Sequence, residues 1–262
     1  MFEDDPNSKG TDWIDRKYTL GKLRDFEPYY KWDVRLKDRQ LDAGAERAFR
    51  IFAGVLAEDD CWTQYGDTFA ELFCYFGANR DTYVPKFIPN DYVGAIYGFN
   101  TTDEKMGAQG GLLGFADDNW ADGTQSDVFM FDTPGDREAG FGFTTTAIHE
   151  FGHHIGMSHP HDGYDSELGL DYGTLDEFYY SWSGDESNSV MQYIAVSNGF
   201  GQFDRDNMYR WETAGYLNWS NAVLGDIQAS GKADKVKDLL ETADHHAGEA
   251  IKAFTRWDYL RA

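Results

Sequence analysis

The feature that most constrains this chain is the run His149-Glu150-Phe151-Gly152-His153-His154-Ile155-Gly156-Met157-Ser158-His159. Histidines four apart stand one turn above each other on one helical face, so the imidazoles of His149 and His153 can reach a single ion. Glu150 points toward the same place, where a carboxylate acts as proton acceptor rather than as ligand. Gly156 frees the backbone to leave the helix sharply, which swings His159 back as a third nitrogen donor. Three neutral ligands leave one position of a tetrahedral ion open, the arrangement of a reactive site rather than a closed structural one. The spacing thus predicts a helix from about Thr144 to Met157 that stops at Gly156.

The pattern His149-Glu150-x-x-His153-x-x-Gly156-x-x-His159 resembles the metzincin clan of zinc endopeptidases. Members of that clan also carry a tight turn with a methionine beneath the metal, tens of residues after the third histidine. Ser189-Val190-Met191-Gln192-Tyr193 stands at a fitting distance, which makes Met191 the candidate floor of the site. Pro160 directly after His159 is similar to the serralysins, and a tyrosine two places after the methionine is similar to serralysins and astacins. By that resemblance Tyr193 is a fifth zinc ligand and a stabiliser of the reaction intermediate; an ordinary packed tyrosine is the alternative. The resemblance rests on residues 149–193, with looser agreement over about 40–225. The Gly-Gly-x-Gly-x-Asp calcium repeats of serralysins do not occur here.

What the resemblance implies is an α+β fold. An upper lobe holds a twisted mixed sheet with two long helices, a smaller irregular and helical lower lobe follows, and the active-site cleft runs between them. The implied layout is an N-terminal arm at 1–35, packed on the domain and irregular. A catalytic domain at 36–225 follows, its upper lobe ending near 159 and its lower lobe spanning 160–225. A helical extension occupies 226–262. The implied activity is that of a zinc metalloendopeptidase acting on a protein or peptide substrate, with one zinc ion on His149, His153 and His159 and Glu150 as general base. Substrate in this clan adds as a strand to the sheet edge, and Gly111–Ala116 is the candidate edge, with a buried core strand as the other reading. A secreted location is implied by the resemblance alone; the sequence leaves the oligomeric state open, and a monomer is assumed. Two alternatives stay open: a catalytically silent zinc-containing binding or adhesion module, and a metal-dependent amidohydrolase on a non-protein substrate.

Composition narrows the partners. The chain has 262 residues, 41% hydrophobic and 16% aromatic, enough for a sizeable core. Its net charge of −23 repels phosphate backbones and anionic membrane surfaces, which argues against nucleic acid as a partner. The acidity reads first as a solubilising surface and second as calcium ligands. The candidates for calcium are Asp117, Asp118, Asp122 and Asp127 in one loop, and Asp162, Asp165 and Asp171 in another. Neither run has EF-hand spacing. No apolar stretch reaches the roughly 18 residues of a membrane span. The opening MFEDDPNSKG has no apolar region of a signal peptide, as for either a mature exported domain or a cytosolic protein. Cys61 and Cys74 read as one disulfide or as two buried thiols.

Periodicity places the remaining elements. Apolar residues at three and four from Asp42 to Ala57 predict a helix with one buried face. Residues 82–99, interrupted by Pro85 and Pro89, predict short strands, and Asp127–Asp132 a buried strand. A helix is expected over Asp204–Leu217 and a long amphipathic one from Val236 to Trp257. His154 lies about 100° around the helix from its neighbour His153 and reads as structural. His161, His245 and His246 receive no role. The sequons at Asn100 and Asn218 matter only in a eukaryotic secretory pathway.

Overall fold

Alternation along two strands builds the core. In β3 (Ala95–Thr102) and β5 (Asp127–Asp132), Tyr97 stands opposite Phe129 and Phe99 opposite Phe131. Phe2 of β1 (Phe2–Glu3) stands opposite Phe99. The facing rings stack at centroid separations of 5.4, 5.7 and 5.5 Å, so one sheet face is a ladder of aromatic pairs. In the computed structural model, residues 1–3, 7, 9–27, 31–56, 70–84, 94–102, 113–116, 127–132, 134–140, 142–157, 159–160, 189–192 and 199–262 are described.

The five strands run in the order β2-β1-β3-β5-β4, with β2 at Arg39–Gln40 and β4 at Gly114–Ala116. All pairings are parallel except that of β4 with β5, which makes β4 an antiparallel edge strand. Helices α2 (Ala43–Phe52) and α3 (Ala70–Ala78) cover the aromatic face through Phe49, Leu72 and Phe76. Met130, Phe143 and Ala147 form a smaller cluster on the opposite face, with Met1, Ile14 and Ile96 against it. Because both faces are covered, β5 is buried at every residue. Its terminal carboxylates are neutralised in place, Asp127 by Arg80 and Asp132 by Arg137. Mixed α and β structure with a mostly parallel sheet is therefore established, in agreement with an α+β chain.

Two compact units divide the chain. The first comprises 1–117 and 126–151, and contains the sheet; the second comprises 118–125 and 152–262. The second is dominated by α7 (Gln202–Ala229) and α8 (Lys237–Phe254), joined through a 3-10 turn at Ala233–Val236. Between α3 and the sheet lies the single-turn α4 (Arg80–Tyr83), and α5 (Pro134–Glu138) precedes the motif helix α6 (Thr144–His154).

Several expectations are revised. The first 35 residues are not an irregular arm: β1 lies inside the sheet, and a 3-10 turn (Gly10–Trp13) and α1 (Arg16–Phe26) follow it. Two residues of strand are too short to show a period, so the burial of Phe2 was hidden among charged neighbours. Helix α2 starts where Asp42 caps the amides of Gly44 and Ala45, but ends at Phe52, and Val55 is exposed. Gly54 with φ of 75° takes the chain away there. Within 82–99 a strand begins at Ala95 and Arg80–Tyr83 is helical, while residues 85–93, with Pro85 and Pro89, lie outside the described residues. Helix α7 runs far beyond Leu217, so the expected boundary at 225 falls inside one continuous helix, and Tyr216 faces solvent. Cys74 is disulfide-bonded, and Cys61 lies outside the described residues. Asn100 is buried and its amide donates to Glu3, so that sequon is no glycan acceptor. Among the described residues no helix is long and apolar enough to cross a membrane.

Phe99 is fully buried and touches the rings of Phe2, Phe49, Phe76 and Phe131. Phe99→Ala is expected to cost about 3–5 kcal/mol, read as a lowered midpoint in urea unfolding.

Candidate metal centre

The motif helix is fixed at both ends by its neighbours. At the start, the amide of Asp15 donates to Thr144 Oγ1 at 2.8 Å and the amide of Phe143 to the carbonyl of Trp13 at 3.0 Å. Further along, the Phe151 ring meets Trp32 edge-on at 5.6 Å. At the C-terminal end the amide of Met157 donates to the carbonyl of Gly152 and that of Gly156 to His153, at 3.0 and 2.8 Å. Those two bonds are a Schellman turn, with Gly156 at φ 93° in the left-handed position that a side chain would strain. The helix stops where the sequence placed its stop.

That turn sets the histidines. Ligand nitrogens of His149, His153 and His159 all lie within 4.8 Å of one another, and His153 is buried while the other two are half-buried. The Nδ1 of His153 sits 2.7 Å from the carbonyl oxygen of Met157. A carbonyl only accepts, so Nδ1 carries the proton and, in the neutral ring, Nε2 presents its lone pair. Nε2 of His153 in turn lies 2.9 Å from Nε2 of His159, with the two rings nearly perpendicular. Such nitrogens are held together comfortably only by a shared proton or a cation. A histidine whose second nitrogen is tied to a backbone carbonyl is the usual form of a metal-ligating imidazole. The three imidazole nitrogens therefore lie close enough together to hold one metal ion.

Glu150, the next residue after His149, is 4% exposed. Its burial pushes the carboxyl up to about 8. A cation on the flanking histidines acts the other way, favouring the carboxylate. The Glu150 side chain lies over Gly114 of the edge strand β4: a Cβ built on that glycine would come 2.7 Å from both Cγ and Oε1. This edge strand is the carboxyl part of the expected Gly111–Ala116 segment, and it is half-buried rather than core.

Met191 is wholly buried and lies in a turn. The amide of Gln192 reaches the carbonyl of Ser189 at 3.5 Å, and that of Met191 donates to Ser189 Oγ at 2.9 Å. The Ser189 hydroxyl donates to Asp204 Oδ1 at 2.9 Å, and the second oxygen of Asp204 accepts the amide of Gly201 at the start of α7. One carboxylate thus ties the methionine turn to the first turn of a long helix. Met191 then meets the motif helix at Gly152, where a Cβ would fall on its sulfur.

The structure brings together His149, His153 and His159, and it places Met191 under the helix that carries His153. His154 is fully buried, as its position around the helix implied. Tyr193 and His161 lie outside the described residues, as do the calcium candidates Asp117, Asp118, Asp122, Asp162, Asp165 and Asp171. Asp127 is committed to Arg80 instead. Sequence reasoning passed over Gly114, Gly152 and Asp204. The two glycines carry no chemistry of their own, and Asp204 resembles any acidic residue in a helix's first turn. Comparison of the chain with protein-family models, curated proteins and solved structures finds no match.

Burial raises Asp204 from 3.8 to about 6, against the hydrogen bonds from Gly201 and Ser189. A carboxyl raised on folding stabilises the fold below its ordinary pKa, and that contribution fades as pH rises through about 6. Wild type should therefore lose about 3 kcal/mol relative to Asp204→Asn between pH 4 and pH 7. Urea unfolding of both proteins across that range checks the slope.

Proposed function

We propose that the chain is a zinc-dependent endopeptidase of metzincin type, hydrolysing peptide bonds in protein substrates. The observation that carries this reading is the convergence of the His149, His153 and His159 nitrogens on one point, with His153 oriented by the Met157 carbonyl. Glu150, buried on the same helix, supports hydrolysis over mere metal storage, because a structural site has no use for a carboxylate there.

In this reading His149, His153 and His159 hold the ion. Bound zinc would supply Lewis acidity, polarising the scissile carbonyl and easing deprotonation of water. Glu150 takes the proton from the attacking water and returns it to the leaving amine nitrogen. Its burial excludes competing water and leaves the carboxylate able to hold either state near neutral pH. β4, the last strand of the sheet among the described residues and antiparallel to β5, lies beside Glu150, and an extended peptide adding to it as a strand belongs to this reading. Met191 supplies the soft apolar floor beneath the His153 turn. Tyr193 is proposed, by resemblance only, as a further ligand and oxyanion partner. The two-lobed arrangement, the secreted location and the monomeric state belong to the same proposal.

The test is casein hydrolysis by wild type and Glu150→Ala, with zinc content measured in both. Wild type should cleave, a chelator should stop it, and added zinc should restore it. Glu150→Ala should keep one zinc per chain and lose at least about 10²-fold in rate. A zinc-loaded wild type that leaves casein and varied peptides intact would favour a silent binding module. A chain that takes up no zinc would overturn the reading altogether.

A further inference from the structure

We propose that Gly114 is a positioning residue for Glu150: the missing side chain on the edge strand is what lets the carboxylate reach its working place. The inference about packing stands on the geometry below, and its catalytic meaning rests on the endopeptidase reading.

Alternation along β4 gives the direction. Phe115 faces the aromatic core, in ring contact with Phe52, Phe73, Phe129 and Phe131. Gly114 therefore presents the opposite face, the one carrying Met130, its cross-strand partner. That face is covered by Phe143, just before α6, and by Ala147 within it, and Glu150 lies one turn farther along the helix. A side chain at 114 would thus be aimed at Glu150 itself. The distances agree: an added Cβ would come 2.7 Å from Glu150 Cγ and Oε1 and 2.6 Å from the carbonyl oxygen of Phe129.

Backbone conformation does not account for the glycine. Gly114 is not among the glycines of positive φ, which are Gly54, Gly140, Gly142, Gly156 and Gly231. Its strand geometry is open to any residue, and a strand interior ordinarily disfavours glycine. What remains is close approach. The Glu150 side chain comes down onto bare backbone at β4, so the strand and the carboxylate share one small region. With a methyl group at 114 the carboxylate must swing off that position, while no histidine is among the three nearest atoms that methyl would meet, so the three nitrogens keep their places.

Gly114→Ala tests this in two backgrounds. In wild type it should lower kcat on casein-derived peptide by about 10²-fold, with KM changed less than about threefold and one zinc per chain retained. A purely structural defect would instead lose zinc and kcat together. The second arm needs no turnover. Glu150→Ala removes the atoms that crowd position 114, so Gly114→Ala should lower Tm there by less than half of its effect in wild type. If Gly114→Ala fails to fold in wild type but folds beside Glu150→Ala, the coupling is shown in its extreme form. Equal losses in both backgrounds would overturn the proposal, assigning the glycine to the Phe129 carbonyl alone. Unchanged kcat in Gly114→Ala would overturn it too. Were wild type inactive on every peptide, the endopeptidase reading would fail, and the Tm coupling would still decide whether Gly114 makes room for Glu150.

Discussion

The candidate centre depends on a single backbone event, the left-handed turn at Gly156. It ends the motif helix by satisfying the last carbonyls, and in the same stroke returns the chain so that His159 meets His153. The turn also presents the Met157 carbonyl to Nδ1 of His153, which settles which nitrogen of that ring is free. Helix end, chain reversal and imidazole orientation are therefore one feature. Backbone geometry places these nitrogens as much as the choice of histidine does.

The two compact units are built from different materials. In the first, aromatic pairs facing each other across β1, β3 and β5 make a stiff sheet, and the motif helix begins on the far face of it. In the second, the methionine turn is held by Ser189 and Asp204, the latter capping α7.

The parts of this arrangement that were legible in the sequence are those with local causes. Spacing of four, a glycine three residues on and a histidine three beyond that encode helix, stop and return without help from the rest of the chain. The alternating strand Asp127–Asp132 was equally plain, because every residue is apolar or a terminal acid. What escaped was non-local. Phe2 enters the sheet through partners almost a hundred positions away, and nothing near it announces this. The full length of α7 was missed because its surface is polar around most of its circumference, with exposed Tyr216 and Trp219 breaking any apolar stripe. Asp204 and Gly114 were invisible because their roles are relations to other residues, not properties of their own side chains.

The contact between Met191 and Gly152 carries a lesson about which letters of the motif are free. Metal chemistry makes no demand on position 152, the residue just before the second histidine. Yet the methionine sulfur occupies the space its side chain would need. Positions 152 and 191 therefore form one steric unit, and divergence at either is tied to divergence at the other. A lineage could replace this glycine only alongside a smaller floor residue, so a substitution there in any descendant sequence should arrive as a correlated pair.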